Sequence, residues 1–85
     1  MTNFEYTIKD ELGIHARPAG MLVKAAKATG CKVTVEKDGK TAEATKVFAL
    51  MGLGVKCGDT VKVSCEGDSA EDAAAQMKAF FETNL

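Results

Sequence analysis

A chain of 85 residues, 46% of them hydrophobic and 27% charged, is long enough for one compact core and too short for two. Its net charge of −1 offers no general attraction to nucleic acid, and its three cysteines, none in a Cys-x-x-Cys spacing, argue against a disulfide framework or a thiolate metal site. "MTNFEYTIKDE" lacks the basic start and apolar centre of a signal peptide and no apolar run can cross a bilayer, so a soluble, unprocessed cytoplasmic protein forming one domain over residues 1–85 is expected.

In chain order, "NFEYTIKD" alternates Phe4, Tyr6 and Ile8 with polar residues, the period of a half-buried strand. "ELG" turns the chain. From Pro18, "PAGMLVKAAKATG" sets Ala19, Leu22, Val23 and Ala26 on one helix face, with Gly30 as the stop. "CKVTVEK" and "KTAEAT" are alternating segments joined by Asp38 and Gly39, a strong hairpin signal. In "TKVFALMGLG", Thr45 is suited to cap a short helix that Gly52 and Gly54 would end. "DTVKVSCEG" is the last strand, and Ser69 with Asp72 resembles a capping box opening a helix with Ala73, Met77, Phe80 and Phe81 on its apolar side. Each cysteine is expected to be a small buried residue, with Cys31 and Cys65 on inward strand faces.

The order strand, helix, strand, strand, short helix, strand, long helix predicts an α+β fold: a four-stranded antiparallel sheet covered on one face by three helices. A helix joining the first strand to the second fits a split crossover, with the last strand inserted between them.

The chemistry concentrates in "GIHARPAG", residues 13–20, which holds the only histidine and the only proline. A helix start offers unpaired N–H groups and a partial positive charge, and together they favour an anion. Pro18 suits the first turn, so the helix should begin near Ala16 to Pro18 with His15 just outside its positive end. The backbone of Ala16 and Arg17 and the guanidinium fork of Arg17 would then meet phosphate or carboxylate oxygens. A neutral imidazole there has a lone pair for attack on phosphorus. A lone histidine before a helix is, however, more often a turn or capping residue, and from the residues alone both readings stand.

"GIHARPAG", the hairpin at "KDGKT", "FALMGLG" and the order of elements together resemble the HPr family, the histidine-containing phosphocarriers of the bacterial sugar phosphotransferase system. The resemblance covers essentially the whole chain. It implies that His15 accepts a phosphoryl group on Nδ1 from enzyme I and passes it to the A domain of a sugar-specific enzyme II, with Arg17 helping to hold the group. It implies a carrier acting as a protein substrate, not an enzyme with its own turnover, needing no cofactor and no metal and working as a monomer. A family member that signals to transcription factors or metabolic enzymes is the alternative. A metallochaperone would need a Cys pair in the first loop, and a nucleic-acid module would need a basic charge and stacking aromatics; neither is present.

"VFALMGLG" is more apolar than a short helix can bury on one face, so Phe48 and Met51 are expected to be partly exposed while Val47 and Leu50 turn toward the core. Family members dock their partners on this helix and the first, which points to Gly20, Lys24, Lys27, Lys46, Val47, Phe48 and Met51. Arg17 and the three lysines would rim the apolar patch and attract an acidic partner. The resemblance implies a regulatory serine at this position in many family members from low-GC Gram-positive bacteria; this chain has Lys46, so kinase control there is expected to be absent.

Overall fold

A computed structural model describes residues 2–85. The elements are β1 (Thr2–Thr7), α1 (Ala16–Thr29), β2 (Lys32–Lys37), β3 (Lys40–Glu43), α2 (Val47–Gly52), β4 (Thr60–Glu66) and α3 (Ala70–Asn84). The strands form one sheet in the order β1-β4-β2-β3, every neighbouring pair antiparallel. The last strand thus enters between the first and the second, the split crossover that the chain order demands.

Period-2 patterning sets the register. Phe4 pairs with Val63, Tyr6 with Val61, Val33 with Cys65 and Val35 with both Val63 and Ala42, which brings the apolar side chains onto one face. Polar residues take the other, where Lys62 stands between Glu5 and Glu36 across three strands. The helices cover the apolar face: Leu22, Leu50, Met77 and Phe81, drawn from all three, are fully buried. Phe81 makes edge-to-face contacts with Phe4, Tyr6 and Phe80 at centroid distances of 6.1, 5.6 and 6.1 Å, fixing α3 over the β1 edge.

The β2–β3 turn has Asp38 and Gly39 at φ 51° and 82°, the two left-handed residues of a tight two-residue hairpin. Gly30 closes α1 at φ 71°. Four expectations need correction. Thr45 does not cap α2: Lys46 takes the extended N-cap conformation, φ −121° and ψ 101°, and its side chain makes no capping bond. Ser69 is the N-cap of α3, but the capping box does not form, since Ser69 departs from extended geometry at ψ 36° and Asp72 lacks the reach of a glutamate. Cys31 lies just before β2 and is only half-buried, because the strand begins one residue later, whereas Cys65 is inward and buried. Cys57 is exposed, because it sits in the β4 approach loop outside any strand. Burial raises the pKa of the Cys65 thiol, with a smaller contribution from Cys31, which keeps Cys65 unreactive.

Two tethers place the loop ahead of α1. The Leu85 carbonyl oxygen accepts the N–H groups of Lys9 and Asp10 at 2.6 and 2.8 Å, tying the end of α3 to the exit of β1. On the other side, Asp59 accepts the Lys56 N–H at 2.8 Å and pairs with Lys37 at 3.0 Å, while Lys37 also donates to the Gly54 carbonyl at 2.9 Å. The Lys56 N–H and then Lys37 hold the Asp59 carboxyl below its ordinary pKa. The 54–59 loop is therefore clamped, and the site rests on it.

Candidate functional site

The site is the junction between the β1–α1 loop and the first turn of α1. His15 is the N-cap residue, at φ −110° and ψ −175°, and its carbonyl accepts the Ala19 N–H at 2.9 Å. Its imidazole makes no capping bond, so the side chain is not the cap of this helix. Pro18, buried in the first turn, has no N–H to leave unpaired. The N–H groups of Ala16 and Arg17 find no acceptor among the described residues. Ala16 and Arg17 are exposed, and Arg17 enters no ion pair among the described residues. An imidazole, two open N–H donors and an uncommitted guanidinium thus converge at the positive end of a helix of 14 residues.

Gly13 sets the height of this junction. At φ 68° it adopts left-handed geometry, and a Cβ there would run into the Val55 carbonyl oxygen and come within 2.7 Å of Lys56 Cα. This close approach lets the Ile14 N–H reach the Val55 carbonyl at 3.2 Å and buries the Ile14 side chain directly before His15.

Sequence reasoning missed a carboxylate at the site, which Asp10 supplies. Its Oδ1 accepts the Leu12 N–H at 2.9 Å and lies 3.7 Å from His15 Nε2. The signal was present in "DELG", an Asp two residues before the donor it turns on, but an Asx turn does not announce which side chain its oxygen will face. Asp10, His15, Arg17, Pro18, Met21 and Asn84 line one open pocket, so α3 also reaches the site through Asn84.

Among the described residues, the large apolar side chains left exposed are Leu12, Met21, Phe48 and Met51, from the loop before His15, α1 and α2, with Phe48 84% and Leu12 71% accessible. Phe48 and Met51 are outside as expected, Leu50 is inside, and Val47 is half-buried against the core. Leu12 and Met21 went unnoticed because single apolar residues between polar neighbours carry no periodic signal. Gly20, Lys24, Lys27 and Lys46 are all exposed, and a Cβ on Gly20 would meet nothing within 4 Å. Since α2 packs against α1, the two helices present a continuous surface, apolar with a basic rim. No helix among the described residues is long and apolar enough to span a membrane, and no three His, Cys, Asp or Glu residues among them cluster as metal ligands would.

Residues 2–83 match the family model described as "PTS HPr component phosphorylation site". The phosphocarrier protein HPr of Vibrio cholerae is 40% identical over 75 residues, 88% of each chain, and that of Borreliella burgdorferi 34% over 83 residues, 98% of this chain and 96% of the relative. The crystal structure of an HPr from Thermoanaerobacter tengcongensis superposes with a TM-score of 0.92 at 37% identity, covering 98% of this chain and 93% of that one.

Proposed function

Because the chain belongs to the HPr family of phosphocarrier proteins of the phosphotransferase system, we propose that His15 is its phosphoryl acceptor, charged by phosphorylated enzyme I and discharged to the A domain of a sugar-specific enzyme II. The observation that carries this reading is His15 itself: an N-cap residue whose imidazole caps nothing, beside the open N–H groups of Ala16 and Arg17.

The ring attacks phosphorus with the Nδ1 lone pair. An N–P bond forms as the bond from phosphorus to the donor's carrier atom breaks, and that electron pair returns to the donor. The Ala16 and Arg17 N–H groups, the helix dipole and the Arg17 guanidinium meet the phosphoryl oxygens before and after transfer in this reading. The same steps in reverse deliver the group onward. His15 stands at an open surface, so the partner's active site supplies the walls and the chain serves as a substrate with no turnover of its own. It acts as a monomer in the cytoplasm, where the partner enzymes present their active sites.

Docking rests on Phe48, Met51, Val47 and Gly20, with Lys24, Lys27, Lys46 and Arg17 as the basic rim. A transient partner reached by charge steering and held by a small apolar centre exchanges quickly, as a shuttle requires. The test is incubation with enzyme I and phosphoenolpyruvate, read by intact mass. One acid-labile phosphoryl group that then leaves to an enzyme II A domain is the expected result. A chain that accepts nothing, or accepts and never donates, removes the carrier role, the second outcome favouring the signalling alternative.

Lys46 is the exposed N-cap residue of α2, a cation where many family members from low-GC Gram-positive bacteria are expected to have a phosphorylatable hydroxyl. An HPr kinase is therefore expected to leave this position unmodified. Lys46→Glu, which reverses the charge, is expected to slow phosphorylation by enzyme I about threefold or more at low salt, the difference fading as salt screens it. Equal rates at low salt would exclude Lys46 from the docking rim.

A further inference from the structure

Asp10 is held by three hydrogen bonds, one of them to its carboxylate. Its N–H bonds the Leu85 carbonyl at 2.8 Å, its own carbonyl takes the Gly13 N–H at 3.0 Å, and its Oδ1 takes the Leu12 N–H at 2.9 Å. That same oxygen lies 3.7 Å from His15 Nε2, beyond hydrogen-bond length, so it acts on the ring through charge. Both side chains are about two-thirds withdrawn from water, His15 being 36% and Asp10 32% accessible, which leaves the interaction only partly screened. Among the other residues lining the pocket one side chain is charged, Arg17 from α1; those of Pro18, Met21 and, from α3, Asn84 are uncharged.

A fixed negative charge beside one ring nitrogen favours a proton there over a lone pair. We propose that Asp10 is a positioning residue for His15, holding the neutral imidazole with its proton on Nε2 so that the lone pair sits on Nδ1. The proposal rests on the reading of His15 as phosphoryl acceptor and adds the device that selects the reacting nitrogen. With Nε2 protonated, attack through Nδ1 makes the N–P bond without any proton changing place. The product is an N-phosphoimidazolium whose new positive charge faces Asp10. On outward transfer the N–P electron pair returns to Nδ1 and leaves the neutral ring with the same proton on Nε2. A tautomer with the proton on Nδ1 would instead have to rearrange before each attack. Asp10 thus lets the carrier load and unload without a proton relay, which fits a surface site with no general base.

The test is long-range proton–nitrogen NMR of the 15N-labelled full chain at a pH where His15 is neutral, which reports the ratio of the two tautomers directly. The Nε2–H form is expected to predominate in the wild type. Asp10→Asn keeps an Oδ1 acceptor for Leu12 and so preserves the turn. It is expected to lower the ratio of Nε2–H to Nδ1–H about threefold, the size expected for one partly screened charge at this distance. An unchanged ratio overturns the proposal. So does a wild type dominated by Nδ1–H, a result that needs no variant to fold. The ratio is read with no phosphoryl donor present, so its outcome is independent of whether His15 accepts a phosphoryl group.

Discussion

His15→Ala is expected to abolish acid-labile phosphorylation by enzyme I and phosphoenolpyruvate while leaving the fold intact. The loss should reach the detection limit, at least about a hundredfold in rate, because no neighbouring group can replace the nucleophile. Asp10 would give an acyl phosphate, a different species from an N-phosphoimidazole, and one of its oxygens already holds the Leu12 N–H. Cys65 is buried and its thiol is kept protonated, and the exposed Cys57 sits in the 54–59 loop. Stability should change by no more than about 0.5 kcal/mol, since the imidazole makes no capping bond and the backbone bond from Ala19 survives the substitution. Intact mass before and after acid treatment, with thermal melts of both proteins, separates the two effects. Acid-labile phosphate persisting in the variant would move the acceptor off His15.

That separation of chemistry from stability also explains what was legible in the sequence. Strand alternation, the Asp38–Gly39 turn and the apolar helix faces each encode local geometry and burial, and chain order then leaves few topologies, so the β1-β4-β2-β3 sheet could be read directly. The start of α1 was equally readable, because proline restricts its predecessor and the helix end supplies the electrostatics. Caps were less so: Thr45 and Ser69 have the right side chains, but the α2 N-cap falls one residue on at Lys46, and Ser69 has ψ 36°, outside the extended geometry a capping side chain needs. The facing of Asp10 and His15 and the arrival of Asn84 in their pocket were missed because a turn does not announce where its side chain points and the end of α3 is brought in only by the tertiary fold. The site that sequence could describe is therefore the part built from one continuous segment.

Gly13→Ala tests the support beneath that segment and carries the largest expected loss of stability. Left-handed geometry at φ 68° costs a residue with a Cβ about 1–2 kcal/mol. The new methyl would also press on the Val55 carbonyl and on Lys56 Cα at 2.7 Å, backbone atoms that cannot swing aside as a side chain would. Nor does the 54–59 loop yield cheaply, because Asp59 grips the Lys56 N–H and Lys37 grips both Asp59 and the Gly54 carbonyl. The β1–α1 loop must lift instead, losing the Ile14 bond to Val55 and opening the buried Ile14 pocket. The sum is about 2–4 kcal/mol, a fall in Tm on the order of 10–20 °C for a domain of this size. His15 follows Ile14 directly, so lifting the loop also breaks its alignment with Asp10 and the α1 N–H groups, and phosphoryl transfer by the folded fraction is expected to fall at least about tenfold. Gly20→Ala is the control: a Cβ there meets nothing within 4 Å, and alanine favours the helix by up to about 1 kcal/mol, so its Tm should rise slightly. Melting curves and transfer rates at low temperature decide the matter. A Gly13→Ala protein that melts and transfers like the wild type would mean that His15 is not positioned from the Val55–Lys56 backbone.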